Sequence, residues 1–125
     1  MAETVLITGA TSAIGGALAI EYAAPGVTLH LHGRDAERLK EVAAACQARG
    51  AQVVTTLLDV RDFTALRAWL TGLGPLGLVV INAGMNTHIG PNGELEPWAD
   101  VAALLDVNLK AAMLIVEAVL PAMRA

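Results

Sequence analysis

Short apolar or β-branched runs alternate with segments of helical periodicity along almost the whole chain. The four runs, each bounded by glycine, proline or polar residues, are 4–7, 27–32, 52–58 and 78–81. Runs of this length are typical of strands buried on both faces of a parallel sheet. Apolar residues recur every three or four positions in the segments between and after them, at 14–24, 35–49, 62–70 and about 98–123. This spacing indicates helices.

The order strand–helix, repeated four times, predicts an α/β fold built on a doubly wound parallel sheet. Gly50 is expected to end the second helix and Asp62 to cap the third. No repeat, low-complexity tract or linker divides the sequence, so residues 1–125 are expected to form one unit.

Composition narrows the class of protein. The chain is 55% hydrophobic, 16% charged and only 3% aromatic, so aliphatic side chains must build its core. The net charge of −4 and the lack of a basic run argue against nucleic-acid binding. A single cysteine, Cys46, excludes an internal disulfide and favours a reducing compartment. We expect a cytoplasmic protein without a membrane span, because the longest apolar stretch, 111–122, contains Glu117 and falls short of roughly 20 residues.

A glycine-containing turn follows the first predicted strand. Gly9 tolerates the unusual backbone angles of such a turn, and Gly15 lets the next helix approach the sheet. The free amides at the helix start then form a seat for a pyrophosphate, to which Thr11 and Ser12 can add hydroxyl donors. An ordinary strand-to-helix turn is the alternative.

The second predicted strand ends at Gly33-Arg34, where dinucleotide sites usually carry an acidic residue for the ribose 2′-hydroxyl. Without that carboxylate, Arg34 can bind a 2′-phosphate, which predicts NADP(H) in preference to NAD(H), with NAD(H) still possible. Arg34 could also be a solvated residue at a helix start. Asp35 could cap the helix or face the ribose. The missing acid also argues against an S-adenosylmethionine-dependent methyltransferase.

These motifs resemble the short-chain dehydrogenase/reductase family. Its Thr-Gly-x-x-x-Gly-x-Gly pattern matches at Thr8, Gly9 and Gly15, with Ala13 in place of the middle glycine. A methyl group at Ala13 should be tolerated if this residue is already helical. The resemblance implies a Rossmann-type sheet of strand order 3-2-1-4 in three αβα layers, and it includes Ile14 among the cofactor contacts.

The ends of the third and fourth predicted strands extend the resemblance. Asp59-Val60 resembles the family's pair beside the adenine, although a capping or turn role for Asp59 is an equal alternative. The turn 82–84, Asn82-Ala83-Gly84, is similar to the family's Asn-Asn-Ala-Gly, with Ile81 replacing the first Asn. The resemblance implies that this turn runs beneath the nicotinamide ribose.

Asn108 lies within the long final helix, where asparagine is unfavourable. The resemblance gives Asn108 a catalytic role: it kinks the helix and presents its carbonyl to a water linked to the catalytic lysine. A simple polar residue on the helix is the alternative.

The resemblance implies hydride transfer between NADP(H) and a small carbonyl or alcohol substrate. The family's catalytic Ser and Tyr-x-x-x-Lys are absent from these 125 residues, and the one tyrosine, Tyr22, has no lysine four positions later. We therefore expect the chain alone to be inactive. A non-catalytic dinucleotide-binding or regulatory module and a truncated fragment of a longer enzyme are the alternatives.

Two further expectations concern histidines and assembly. His30 and His32 share one strand face, but no third ligand converges on them, so no metal site is predicted. His88, after the 82–84 turn, is a candidate for substrate contact. With the chain ending at Ala125, the fourth strand has no outer partner and the final helix carries surplus apolar surface at Leu114, Ile115, Val119 and Leu120. We therefore expect a homo-oligomer through that helix.

Overall fold

The computed structural model describes residues 3–86 and 90–125. Four strands alternate with helices in the predicted order. The elements are β1 (Glu3–Ile7), α1 (Ala13–Tyr22), β2 (Val27–Gly33), α2 (Ala36–Gln47), β3 (Gln52–Leu57), α3 (Phe63–Thr71), β4 (Leu78–Val80), α4 (Trp98–Leu105), a π-helical segment (Asp106–Ala111) and α5 (Ala112–Arg124). The predicted long helix over about 98–123 is thus one continuous helical stretch with a π-helical middle.

The sheet is parallel and has the order β3-β2-β1-β4, as predicted. β1 pairs with β2 on one side and with β4 on the other. Within the described ranges β4 has no partner at its outer edge. The connection from β3 to β4 therefore crosses to the opposite side of β1. In sheets of this kind, ligands bind at the carboxyl ends of the strands where the order reverses.

Side-chain alternation along the strands creates two separate cores. Val5 and Ile7 face the cluster formed with α1 and α2, which includes Leu39. Leu6, between them in sequence, faces the other cluster, formed with α3 and the final helix, which includes Leu66. This period of two is what a strand covered on both faces requires, and it produces the three αβα layers.

The starts of α2 and α3 agree with capping residues in the sequence, whereas α2 ends at Gln47, three residues before Gly50, which was expected to end it. Asp35 accepts a hydrogen bond from the Arg38 backbone N–H at 3.1 Å, and Asp62 accepts one from Ala65 at the same distance. Asp35 therefore caps α2, one of the two roles considered for it. Among residues 3–86 and 90–125, no helix is long and apolar enough to cross a membrane.

Candidate functional site

A cleft opens at the carboxyl ends of the strands, beside the start of α1. Nine residues that the sequence predicted to contact a cofactor line it: Gly9, Thr11, Ser12, Arg34, Asp59, Val60, Asn82, Ala83 and Gly84. His32, Gly33, Met85 and Val107 complete the lining. Ile14, which is 67% exposed, Gly15 and Asn108 lie outside it. The fold thus brings together the ends of all four strands at the position where the order reverses.

The turn between β1 and α1 is as tight as its glycines predict. Gly9 has a φ of +68°, and a Cβ there would stand 2.9 Å from the backbone of Ala83. A Cβ at Gly15 would collide with the carbonyl oxygen of Gly9. Both positions therefore require glycine. Ala13 is the first residue of α1, so it meets the condition under which its methyl group is tolerated.

Ser12 caps α1, and its hydroxyl is fully used within the turn. Its Oγ accepts hydrogen bonds from the Gly15 N–H and from Asn82 Nδ2, both at 3.0 Å, and donates to the Gly9 carbonyl at 3.0 Å. To donate to a phosphate, the hydroxyl would have to leave the Gly9 carbonyl. The hydroxyl donation predicted for Ser12 stays a prediction, with this competing bond in place.

Thr8 and Asn82 join the ends of β1 and β4. The buried Thr8 hydroxyl accepts from the backbone N–H of Asn82 at 3.0 Å and from that of Ala83 at 3.2 Å. Asn82 Nδ2 donates in return to the Gly9 carbonyl at 3.0 Å. These bonds hold the 82–84 turn against the glycine turn, so the two sides of the cleft are positioned by one network.

His32 joins the glycine turn to the end of β3, a role the sequence analysis missed. Its ring is 2% exposed and lies 5.8 Å, centroid to centroid, from the ring of Trp69. Nδ1 accepts from the Gly9 N–H at 3.1 Å, and Nε2 lies 2.7 Å from the Leu58 carbonyl oxygen. Burial lowers the pKa of His32 below its ordinary value, and the nearby Arg34 lowers it further. The sequence did contain one sign of this role, which is a histidine at the end of a predicted buried strand, directly before Gly33 and Arg34.

At the end of β2 the cleft has a corner that carries the positive charge of Arg34 and is narrowed by the Thr11 side chain. Arg34 is exposed and has no hydrogen-bond or ion-pair partner in the part of the chain that the structure describes. A Cβ at Gly33 would stand 2.5 Å from Thr11 Cγ2, so the Thr11 side chain fills the space beside this glycine. Arg38, also missed at the sequence level, donates from Nε to the Thr11 carbonyl at 2.9 Å and ties α2 to the turn.

Asp59 is engaged by a neighbouring arginine. Its carboxylate accepts from Arg61 Nε at 3.0 and 3.1 Å and from Nη2 at 2.6 Å. These bonds hold the pKa of Asp59 down at about 2, so the group is ionised at neutral pH. Val60 is 4% exposed and presents an apolar wall beside it. The turn role weighed for Asp59 is present as a bond from the Arg61 N–H at 2.9 Å.

Asn108 reaches the loop after β4 from the π-helical segment. Its Oδ1 accepts from the Met85 N–H and its Nδ2 donates to the Met85 carbonyl, both at 2.7 Å. A Cβ at Gly84 would stand 3.3 Å from the same Oδ1. The widened helical turn and the paired bonds place Asn108 against the 82–84 turn rather than among the core side chains.

Known proteins with the same arrangement identify the family. The family model for short chain dehydrogenases matches residues 3–125. The chain is 35% identical over 122 residues to a 3-dehydrosphinganine reductase of Arabidopsis thaliana, covering 97% of this chain and 36% of that protein. It belongs to the short-chain dehydrogenase family.

Solved members of the family share the fold closely. A metagenomic short-chain oxidoreductase in complex with NADP has a TM-score of 0.87 and 34% identity, covering 97% of this chain and 56% of the other. An NAD⁺-bound xylitol dehydrogenase has a TM-score of 0.86 and 26% identity, covering 97% of this chain and 48% of the other. The chain therefore spans about a third to a half of the length of these relatives. Family and fold confirm the resemblance read from the motifs.

The ring nitrogens of His30 and His32 differ in their hydrogen bonds. His30 Nδ1 is buried without a hydrogen-bond partner, whereas both ring nitrogens of His32 are occupied. No group of three His, Cys, Asp or Glu side chains within 3–86 and 90–125 could hold a metal ion. His88, considered for substrate contact, lies outside the described residues.

Proposed function

We propose that the chain binds NADP(H) as the nucleotide-binding part of an oxidoreductase that transfers hydride between the nicotinamide and a small carbonyl or alcohol. The observation that carries the proposal is the corner formed by Gly33, Arg34 and Thr11 at the end of β2. It offers a guanidinium without a hydrogen-bond or ion-pair partner among the described residues. Of the nearby carboxylates, Asp35 caps α2 through Oδ1 and Asp59 is bonded to Arg61. A 2′-phosphate is attracted to such a site, and a 2′-hydroxyl gains no acceptor there.

The remaining contacts follow from the geometry of the cleft. The N-terminal end of α1, beside Thr11, would direct its free amides and its positive dipole toward the pyrophosphate of a bound cofactor. Val60 would lie against the adenine, with Asp59 at its edge. The turn 82–84 would support the nicotinamide ribose. Asn108, bonded to Met85 directly after that turn, would present its carbonyl to a water linked to the catalytic lysine. NADP(H), when bound, supplies or accepts the hydride.

The family's proton-transfer pair, Tyr-x-x-x-Lys, has no counterpart among the residues that the structure places in the cleft lining. Tyr22 lies in α1, 38% exposed and away from the cleft lining. We therefore expect the chain by itself to bind nucleotide without turning over substrate. A non-catalytic dinucleotide-binding module is the alternative, and it would likewise bind nucleotide without turnover.

Isothermal titration of NADPH and NADH into wild type, Arg34→Ala and Arg67→Ala tests the proposal. Loss of a charged hydrogen bond costs roughly 1.5–3 kcal/mol, so Arg34→Ala should weaken NADPH binding about tenfold or more and leave NADH binding nearly unchanged. Arg67, on α3 and 3.4 Å from Glu117, is the matched control with the same loss of charge away from the cleft. Equal losses for both nucleotides in Arg34→Ala would contradict the assignment to the 2′-phosphate.

A further inference from the structure

The bonds of His32 fix the chemical form of its ring. A backbone N–H can only donate and a backbone carbonyl can only accept, so Nδ1 facing the Gly9 N–H is unprotonated and Nε2 facing the Leu58 carbonyl carries the proton. His32 is therefore a neutral imidazole in the Nε2–H tautomer. A second proton on Nδ1 would face the Gly9 N–H directly and replace an attractive contact by a repulsive one.

The position of the ring connects three parts of the cleft. It extends from β2, reaches the glycine turn 23 residues earlier in sequence, and reaches the residue after β3 26 residues later. The glycine turn is the part of the cleft that precedes the helix start, and Leu58 directly precedes Asp59 and Val60. One side chain thus sets the distance between the phosphate side and the adenine side of the cleft.

The charges around the ring do not hold a proton on it. Arg34, at the end of its own strand, opposes protonation, and Asp59, after β3, favours it, but both oxygens of Asp59 are bonded to Arg61. From α3 the ring meets the uncharged indole of Trp69. From the glycine turn it meets only backbone. Burial is the largest influence and lowers the pKa of His32, against the bond to the Leu58 carbonyl, which raises it.

We infer that His32 is a positioning residue for the nucleotide: as a neutral imidazole it holds the Gly9 amide in the phosphate-binding turn, and its protonation releases that turn and weakens nucleotide binding. This inference rests on the proposed function. Binding should be strongest when the ring is neutral and should fall as the pH drops through the pKa of His32, which lies below the ordinary value near 6.5. By linkage, bound nucleotide must lower that pKa further.

Two substitutions separate the two bonds of the ring. In His32→Asn the amide oxygen stands near the position of Nδ1 and can still accept from Gly9, whereas in His32→Gln the amide nitrogen stands near Nε2 and can still donate to Leu58. His32→Asn should therefore keep nucleotide affinity within about twofold of the wild type at about pH 8. His32→Gln should weaken it about fivefold to tenfold. His30→Gln, two residues earlier on the same strand and with no bond from Nδ1, is the matched control.

The pH profile distinguishes positioning from a merely structural role. Titrations should use NADH, because the 2′-phosphate of NADPH has its own pKa near 6. As the pH is lowered from about 8 to below the ordinary imidazole value of about 6.5, wild type and His30→Gln should lose NADH affinity progressively, while His32→Asn loses much less because it has no proton to take up at this position. A parallel fall in wild type and His32→Asn would overturn the inference.

Nitrogen-15 NMR of the wild type tests the same idea without a substitution. The Nε2–H tautomer should be present in the free chain at neutral pH, the Gly9 amide signal should shift as His32 titrates, and saturating NADH should lower the pKa of His32. A pKa that NADH leaves unchanged, or the opposite tautomer, overturns the inference while leaving the proposed function in place. Failure of NADPH and NADH to bind the wild type at any pH overturns both.

Discussion

At the scale of single residues, substitutions at Gly9 and Ala13, which belong to the same turn, should have different effects on nucleotide binding. A side chain at Gly9 would combine a positive φ with a 2.9 Å approach to Ala83. Gly9→Val should therefore abolish nucleotide binding, and fluorescence titration with NADPH measures the loss. Ala13→Gly, in the first residue of α1, should leave binding unchanged or slightly tighter. Normal binding by Gly9→Val would show that the phosphates lie elsewhere.

The residues that sequence reasoning could and could not assign differ in the kind of contact they make. Gly9 and Gly15 were assigned because their requirement is local: a turn and a close helix start are visible in the spacing. His32 was considered only as half of a metal pair with His30, because its partners Gly9 and Leu58 lie more than 20 residues away. Arg38 was missed for the same reason, since its bond to Thr11 spans 27 residues.

At the scale of elements, the junction of β1 and β4 depends on one amide. Asn82 Nδ2 donates to the Gly9 carbonyl and to Ser12 Oγ, both at 3.0 Å. Asn82→Asp keeps the shape but replaces this donor by a charged acceptor facing a carbonyl. We expect the free energy of unfolding to fall by about 1–3 kcal/mol, measured by urea denaturation, together with weaker NADPH binding.

The control for this prediction is Gln47→Glu, which makes the same amide-to-carboxylate change on an exposed side chain at the end of α2. It should change the free energy of unfolding by less than about 1 kcal/mol, the size of an unfavourable charge at a helix C-terminus. Equal destabilisation by the two variants would mean that charge alone, and not the bonds of Asn82, explains the effect.

Element positions followed well from the sequence, and element geometry did not. Strand β2 was predicted over 27–32 and is observed over Val27–Gly33. The prediction is this close because the apolar pattern of such a strand depends only on its burial on both faces. The final helix was predicted as one segment, yet its residues 106–111 are π-helical. The unfavourable Asn108 was the only local sign of this change, since the two bonds to Met85 that compensate for it are tertiary.

At the scale of the whole molecule, a group of neighbouring apolar side chains is exposed beyond the two cores. It is formed by side chains at the end of β4 and on the final helix, and we call it the β4 surface: Ile81, Leu109, Ala112, Met113 and Val116. Of the helix residues expected to supply surplus apolar area, Ile115 and Val119 are buried, so the surplus lies one helical face away, around Met113 at 64% exposure.

We expect the 125-residue chain to self-associate through the β4 surface, because exposed apolar area beside an unpaired strand edge favours association. Sedimentation velocity over a dilution series measures this. Met113→Glu should shift the distribution toward monomer, while Leu95→Glu, at an 83% exposed position outside the β4 surface, should not. A wild-type monomer at every concentration would contradict the expectation.

The π-helical segment has a consequence for insertions and deletions in this chain. A π-helical turn holds about one residue more than an α-helical turn, so residues 106–111 act as a one-residue insertion within an otherwise regular helix. An extra residue elsewhere in α4 or α5 would rotate everything after it by about 100° and carry Ile115 and Val119 out of their core. Here the widened turn absorbs that rotation. Deleting one residue from 106–111 would therefore convert this segment into a regular α-helix. The contact between Asn108 and Met85 would be lost, but Ile115 and Val119 would keep their positions in the core.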